Sequence, residues 1–345
     1  SPHKGLRLFF ARIFSLLKCE PIFFARYASS KVRAFTSSII EEGYDLVVIE
    51  SFALANYGAN IRLVPCIISI TDAVSSIYAV AVKESNSFIF GLYRRYQCML
   101  VKRFEMTLLR NYDAIHVISD YDRQYLLREY NNLKVFVTSH VVPNHVLTSF
   151  KNSTNLVNKD TSKVNIVYSG RVSDNAALNS LYSFVDQVYK PLVNSRINIQ
   201  LTILTGGAET KLTKSLEKLN SVVVKNWVEN YELELLNSDI LVFADNMQNG
   251  VKTRLLYALA AGKPIVATPA SVSGLPVIDA KHMFIREIGP KFSLAIKMLI
   301  DDKTLSRRLS LNALNLLEQE LSAEVHNRKW ASVFKALVDS NSVNS

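Results

Sequence analysis

The sequence predicts an α/β protein of two domains, each a parallel sheet wrapped by helices. The chain has 345 residues, which is more than one hydrophobic core usually organises. Short apolar runs typical of buried parallel strands alternate with helical stretches along both halves. One extended polar tract, 147–163, separates the halves. We therefore expect a first domain at 1–150, a linker at 151–163, a second domain at 164–325, and a C-terminal helix at 326–345 that could cross back to the first domain.

The amino-acid composition and net charge of the chain indicate which classes of molecule it could bind. With 49% hydrophobic and 20% charged residues, the chain is typical of an ordinary globular protein. Its net charge of +10 favours phosphate esters, anionic lipid or nucleic acid as partners. Nucleic acid is the least favoured, because no known binding module or basic-aromatic array is present. The three cysteines and six histidines show no paired or metal-ligand spacing, which indicates a cytoplasmic protein without a metal site.

The first predicted helix is 4–18, where lysines and arginines alternate with Leu, Phe and Ile at helical spacing. Such a helix can lie on an anionic membrane face. An amphipathic core helix with a solvated basic face explains the pattern equally well. The pattern at 4–18 therefore has two interpretations, and one of them is peripheral binding to the inner face of the cytoplasmic membrane.

Four apolar runs predict the strands of the first domain, at 44–50, 64–70, 113–118 and 135–137. The second run places Thr71-Asp72 at its carboxyl end, and a long helical stretch follows at 85–110. The third run ends at Ser119-Asp120, which can cap a helix over 123–129.

The second domain begins with predicted strands at 164–169, 199–205, 221–225 and 239–244, separated by helices. The stretch Asn249–Thr268 then gives a glycine loop, a helix with two cations on its first turn, a stop at Gly262 and another apolar run. Strand, glycine loop, helix and strand form a βαβ unit with an anion site where the helix begins. A last strand is predicted at 283–286, followed by two helical stretches.

The loops after the strands of the second domain are expected to share one crevice. Arg171, Lys252 and Arg254 supply cations there, beside the backbone N–H groups of Gly250-Val251. That combination suits a diphosphate, since arginine can make bidentate contacts. Each cation taken alone is explained as well by a solvated surface charge.

These motifs carry a family resemblance. From Val164 to about Trp330 the chain resembles the donor domain of family 4 retaining glycosyltransferases, which have the GT-B fold of two Rossmann-like domains facing a cleft. The matching phrases are Ser238-Asp239-Ile240, Gly250 to Thr268, and Ser273-Gly274-Leu275.

The first half is similar to the acceptor domain of the same family, particularly in sugar transferases from exopolysaccharide gene clusters. The shared landmarks are Tyr44 to Val48, Thr71-Asp72, Phe104-Glu105, Ser119 to Asp122, and Pro143-Asn144. Relatives carry further strand and helix units before the basic helix, so we expect this sequence to begin inside the acceptor domain.

The resemblance implies transfer of a sugar from a nucleotide diphosphate sugar to a glycan or lipid-linked acceptor, with retention, in surface polysaccharide or glycoconjugate synthesis. No cofactor or metal is expected, because protein cations and helix N-termini neutralise the leaving diphosphate. The implied catalytic residues are Asp72, which faces the sugar or acceptor hydroxyl, and Arg171 and Arg254, which hold the diphosphate. Asp72 as a helix cap explains the sequence equally well. Among the implied donor-binding residues, Trp227 and Val228 would meet the nucleobase and Tyr257 the ribose. The other implied donor-binding residues are Gly170, Gly206, Gly250, Val251, Lys252 and Thr253.

The sequence also departs from the family pattern. The ribose-binding glutamate falls on Tyr257, an earlier glutamate on Asn249, a phosphate-binding lysine near Ala176, and a histidine on Thr71. A phenol can hydrogen-bond a ribose but cannot accept a diol as a carboxylate does. The alternative function is therefore a catalytically degenerate GT-B homologue that acts as a binding or scaffolding subunit.

Overall fold

The computed structural model describes residues 6, 10, 20–21, 24, 27, 29–83, 88–153, 163–170, 172, 175–207, 210–219, 221–246 and 250–342. The chain forms two compact units. The first comprises Ser1–Ser139 together with Asn327–Ser345, and the second comprises His140–His326. Most of the predicted basic helix at 4–18 and of the predicted linker lies outside the described residues, as do Arg171 and Asn249.

The first unit is a four-stranded parallel sheet with the order β1-β2-β3-β4. Its strands are β1 (Val47–Glu50), β2 (Cys66–Ser69), β3 (Ala114–Val117) and β4 (Val135–Val137). Its helices are α1 (Ser30–Glu41), α2 (Ala55–Gly58), α3 (Val74–Lys83), α4 (Phe88–Leu109) and α5 (Asp120–Glu129), with a 3-10 turn at Phe52–Leu54. Strands β2 and β3 are buried on both faces, as a parallel sheet covered by helices requires.

The second unit is a six-stranded parallel sheet with the order β10-β9-β8-β5-β6-β7. Its strands are β5 (Val164–Ser169), β6 (Ile199–Leu204), β7 (Val222–Lys225), β8 (Ile240–Phe243), β9 (Ile265–Ala267) and β10 (Phe284–Ile285). Its helices are α6 (Asn144–Ser153), α7 (Asn175–Phe184), α8 (Lys190–Asn194), α9 (Lys211–Leu216), α10 (Tyr231–Leu236), α11 (Thr253–Ala260), α12 (Pro290–Asp301) and α13 (Lys303–Glu320), and a π-helical turn joins α7 to α8.

Each face of the second sheet has its own hydrophobic core. One core packs Ile166, Phe184 and Phe292 on one face. The other packs Val167, Leu255 and Phe150 on the opposite face. Because Phe150 and Val146 of α6 bury in that core, α6 is part of the second unit. The last helix, α14 (Ala323–Ser342), continues from the second unit into the first.

The predicted α/β fold class and its ten strands are confirmed. The strand ends differ from the predicted ends by only a few residues, because buried apolar runs define strand interiors better than strand ends. In the described part of the chain, no helix is long and apolar enough to cross a membrane.

Candidate functional site

The candidate site lies at the carboxyl edge of the second sheet. Strand β5 pairs with β6 on one side and with β8 on the other, with Ile166 opposite Ile240. The strand order therefore reverses between β5 and β8. Ligands of doubly wound sheets bind outside the carboxyl ends of the strands at such a reversal. The residues that follow these two strands are Gly170 and Ala244-Asp245.

Arg254 is the first of the predicted site residues at this edge. It lies on the first turn of α11, whose neighbouring Leu255 and Leu256 are fully buried and fix the rotation of the helix. Its Nη2 donates to Oδ1 of Asp245, and the two side chains are 24% and 23% exposed. Within the described residues, Nε of Arg254 is buried and has no hydrogen-bond partner. The guanidinium is thus oriented by a carboxylate while one of its donors remains unpaired.

Asp245 is held from the loop after β9. Its Oδ2 accepts a hydrogen bond from Oγ of Ser271 at 2.9 Å, and its N–H donates to the same Oγ at 2.9 Å. The hydroxyl of Thr268 donates to the carbonyl of Asp245. Because Ser271 and Thr268 are themselves buried, the carboxylate beside Arg254 is fixed in place.

A loop that contains Gly250 leads into α11. Gly250 has φ 56°, in the left-handed region that favours glycine. Lys252 is the N-cap residue of α11 with extended backbone, and its side chain makes no cap hydrogen bond. Val251 packs on the hydrophobic core, while Thr253 is exposed at the first helical position. The N–H groups of the first turn therefore begin directly after the loop.

Three tyrosines line the inner side of the edge. Burial raises the pKa of Tyr231 to about 12, and its hydroxyl lies 2.8 Å from Oγ of Ser169. Burial also raises the pKa of Tyr168, with the charge of Asp245 acting in the same direction. The ring of Tyr257 lies 6.1 Å from that of Tyr231. Burial therefore keeps the hydroxyls of Tyr168 and Tyr231 protonated to a higher pH than that of an exposed tyrosine.

The ends of β5, β6 and β7 are tied together. Gly170 donates its N–H to the carbonyl of Leu204 at 3.2 Å, and a Cβ at Gly170 would lie 2.6 Å from the ring of Tyr168. Gly206 has φ 69°, and Oγ1 of Thr205 donates to Asn226 at 3.0 Å. Beyond Asn226, Trp227 is 81% exposed. Val228 instead packs on the core.

Asp72 lies in the first unit, at the carboxyl end of β2, and is half-buried. The backbone that follows it is held by two other carboxylates. Asp122 accepts the N–H of Ala73 at 2.9 Å, and Glu105 accepts the N–H of Ser75 at 3.4 Å.

The structure brings together part of the predicted site. Arg254 and Tyr257 lie on α11, and Gly170, Gly206, Trp227, Val228 and Gly250–Thr253 lie in loops or at the helix start along the same edge. The sequence did not predict Asp245, Thr268 or Ser271. An acid directly after a buried strand was a usable signal for Asp245. Thr268 ends the matched phrase but was given no role there, and nothing in the sequence marked Ser271. In the described ranges no group of three His, Cys, Asp or Glu side chains could hold a metal ion.

Residues 163–302 match the family model described as Glycosyl transferases group 1. No curated protein sequence matches the chain.

Solved structures of three proteins are similar in fold. Sucrose-phosphate synthase (tll1590) from Thermosynechococcus elongatus has a TM-score of 0.67 at 16% identity, over 90% of this chain and 77% of that one. Anabaena Alr3699/HepE in complex with UDP has a TM-score of 0.61 at 16% identity, over 89% and 82%. The α,α-trehalose 6-phosphate synthase from Burkholderia multivorans has a TM-score of 0.65 at 10% identity, over 100% and 87%. At such identities they show the fold alone, which is of the GT-B type, and the match at 163–302 assigns a group 1 glycosyltransferase domain to that part of the chain.

Proposed function

We propose that this chain transfers a sugar from a nucleotide diphosphate sugar to a glycan or lipid-linked acceptor, with retention of the anomeric configuration. The observation that carries the proposal is the half-buried guanidinium of Arg254, whose Nε is buried. It lies in the matched glycosyltransferase domain, at the reversal of strand order, and one of its N–H donors has no partner among the described residues.

A diphosphate satisfies the chemistry of this edge. An unpaired buried donor costs about 1–3 kcal/mol, and an anionic oxygen is the strongest acceptor for a guanidinium. The N–H groups at the start of α11 add the positive end of the helix dipole, and Lys252 adds a second cation beside them. In this proposal these groups neutralise the leaving diphosphate, together with Arg171, which lies outside the described residues.

The nucleoside would occupy the outer part of the edge. Trp227 offers an exposed indole for stacking on a base. Tyr257 offers a hydroxyl to the ribose in place of the expected carboxylate. Because Anabaena HepE was crystallised with UDP and with UDP-glucose, a uridine diphosphate sugar is the first donor to test.

On the acceptor side, we propose that Asp72 acts on the sugar or on the acceptor hydroxyl. The resemblance to exopolysaccharide enzymes supports a role in surface polysaccharide or glycoconjugate synthesis, by a cytoplasmic protein that binds the inner face of the cytoplasmic membrane peripherally.

Calorimetric titration of UDP, GDP and their sugars tests the donor site. We expect Arg254→Gln to weaken diphosphate binding at least tenfold, which corresponds to about 1.4 kcal/mol, and to abolish sugar transfer. Lys190→Gln is the matched control, because Lys190 also pairs with an aspartate, Asp186 at 2.8 Å, but lies on the exposed surface of the second unit. It should bind as the wild type does.

Two outcomes would count against the proposal. Failure of every nucleotide diphosphate to bind at millimolar concentration would refute the donor site. Full transfer activity in Arg254→Gln would show that another cation holds the diphosphate. Binding without transfer of any sugar would instead favour the scaffolding subunit.

A further inference from the structure

The amino-terminal end of α4 is an exposed apolar surface that the proposed donor site does not use. Phe88 and Ile89 are 88% and 78% exposed, and Phe90, Leu92 and Tyr93 are also exposed. Successive helical residues point about 100° apart, so these five side chains span an arc of about 200° around the helix axis, and exposed Arg94 and Arg95 point into the remaining arc. We name these five residues the apolar tip. Because every residue from Phe88 to Tyr96 except the half-buried Gly91 is exposed, this end of α4 projects from the body of its unit.

The rest of α4 behaves differently. Its first buried residue is Gln97, and beyond it Leu100, Val101 and Leu108 bury in the unit. The exposed stretch from Phe88 to Tyr96 is roughly 13 Å long at about 1.5 Å per residue. Helix α3 packs along α4 and adds exposed Ile77 and Val80. Two adjacent helices thus present apolar side chains at one place.

The exposed charged side chains described on α3 and α4 are cationic, and Glu84 between the two helices lies outside the described residues. Arg94 and Arg95 follow the apolar tip directly, Arg103 lies two turns further on, and all three are exposed. The single acidic residue of α3 and α4 is Glu105, and it is fully buried. Lys102 is paired with Glu129 of α5. The exposed side chains of the two helices therefore combine apolar and cationic groups without an exposed acid.

We propose that the apolar tip and its arginines dock on an anionic lipid bilayer. Aromatic and aliphatic side chains can enter the boundary between headgroups and acyl chains, which amphipathic helices penetrate by roughly 5–10 Å. That depth is within the length of the projecting stretch. Arginines beside it would remain at the level of the anionic headgroups. The proposal deepens the membrane association proposed above, and it places the contact on described residues rather than on 4–18.

The shape of the apolar tip favours a bilayer over a second copy of the chain. A stable protein interface buries about 1,200–2,000 Å² between complementary surfaces. A projecting helix end with five side chains offers a small convex contact. A fluid lipid surface can surround such a contact on all sides.

Vesicle flotation tests the proposal. The full chain is mixed with vesicles of phosphatidylcholine containing about one third phosphatidylglycerol, an anionic fraction at which basic, apolar surfaces bind. We expect the wild type to float with these vesicles, and the triple variant Phe88→Ser, Phe90→Ser, Leu92→Ser to lose at least tenfold in partition coefficient. Arg94→Gln with Arg95→Gln should lower binding and weaken its dependence on salt.

Leu294→Ser with Leu311→Ser is the matched control, since both are exposed helical leucines of the second unit. It should bind as the wild type does. As an independent measurement, Phe90→Trp should show a blue shift in tryptophan emission on addition of anionic vesicles.

Wild-type protein that does not float, or a triple variant that floats fully, would overturn the proposal. So would a wild-type dimer in sedimentation that fails to float and becomes monomeric in the triple variant. UDP titration of each variant separates this proposal from the donor site, because the triple variant should keep its UDP affinity even where flotation is lost.

Discussion

At the scale of single residues, the pairing of Arg254 with Asp245 decides how the proposed donor site would bind a diphosphate. A carboxylate beside a diphosphate-binding arginine has two opposed effects. It orients the guanidinium, which lowers the entropy lost on binding. It also repels the anionic ligand, since two like charges about 5 Å apart interact by roughly 3 kcal/mol at an effective dielectric constant of 20. Ser271 already fixes Asp245 through two hydrogen bonds, so the repulsive effect should dominate.

Asp245→Asn separates the two effects. The amide oxygen can still accept from Arg254 and the amide N–H₂ can donate to Ser271, so the orientation is preserved while the negative charge is removed. We expect UDP to bind about three- to tenfold more tightly, which corresponds to roughly 1 kcal/mol, and uridine without phosphate to be unaffected. Calorimetric titration of both ligands measures this. Weaker UDP binding in Asp245→Asn would show instead that Asp245 acts mainly by orienting Arg254.

At the scale of elements, a buried carboxyl group joins three helices of the first unit. Glu105 of α4 accepts hydrogen bonds from Ser75 of α3, and from the hydroxyl of Tyr130, the C-cap residue of α5, at 2.9 Å. Burial raises the pKa of Glu105, and the hydrogen bonds from Ser75 and Tyr130 oppose that effect. The same contacts hold the backbone just after Asp72. The position of a candidate catalytic loop thus depends on a titrating group.

The raised pKa of Glu105 predicts the sign of a pH effect. The folded state binds this proton more tightly than the unfolded chain, whose glutamate pKa is near 4.5. The stability from protonated Glu105 is therefore complete below that pH and is lost as pH rises through the raised pKa. We expect the free energy of unfolding in urea to fall in the wild type relative to Glu105→Gln as pH rises from 4.5 to 8. The fall should be at most about 1.4 kcal/mol for each pH unit.

Glu129→Gln serves as the control. The hydrogen bond from Lys102 lowers the pKa of Glu129 below 4.5, so its contribution is complete above that pH and is lost only as pH falls through the lowered pKa. The difference between wild type and Glu129→Gln should therefore stay constant between pH 4.5 and 8. A difference between wild type and Glu105→Gln that does not change with pH would contradict the titration of Glu105.

Elements were more predictable from the sequence than their contacts. Strand β8 and helix α11 follow from an apolar run and a glycine-bounded helical pattern, both of which are local signals. The pairing of Asp245 with Arg254 is not local, because it requires α11 to return along the same strand edge. The hydroxyl of Ser271 reaches Asp245 only because β9 lies next to β8. The βαβ unit predicted from the sequence implies that adjacency, but it does not indicate which side chain after β9 contacts Asp245.

At the scale of the whole molecule, the chain divides its candidate residues between two units. The donor-side residues Gly170 to Tyr257 belong to the second unit, and Asp72 belongs to the first. The C-terminal helix contributes to the first unit, where the ring of Trp330 lies 4.7 Å from that of His116 and 5.0 Å from that of Phe136. Each unit has its own sheet and core. Substitutions in one unit should therefore leave binding at the other largely intact.

This division predicts a separation of binding from turnover. We expect Asp72→Asn to leave the UDP dissociation constant within about twofold of the wild type, since the proposed diphosphate site lies in the second unit. Release of UDP from the donor sugar that binds, measured with a lipid-linked glycan extract as acceptor, should fall about 100-fold or more, the range for loss of a positioned carboxylate that exchanges a proton with the reacting hydroxyl. Asp45→Asn, at an exposed aspartate of the first unit, should change neither quantity.

Two outcomes would contradict this prediction. Tenfold weaker UDP binding in Asp72→Asn would place Asp72 in the donor site. Undiminished turnover would favour the other role that the sequence allows for Asp72, that of a helix cap. Arg254→Gln should show the complementary pattern, because a lost diphosphate contact lowers donor affinity before any sugar is transferred.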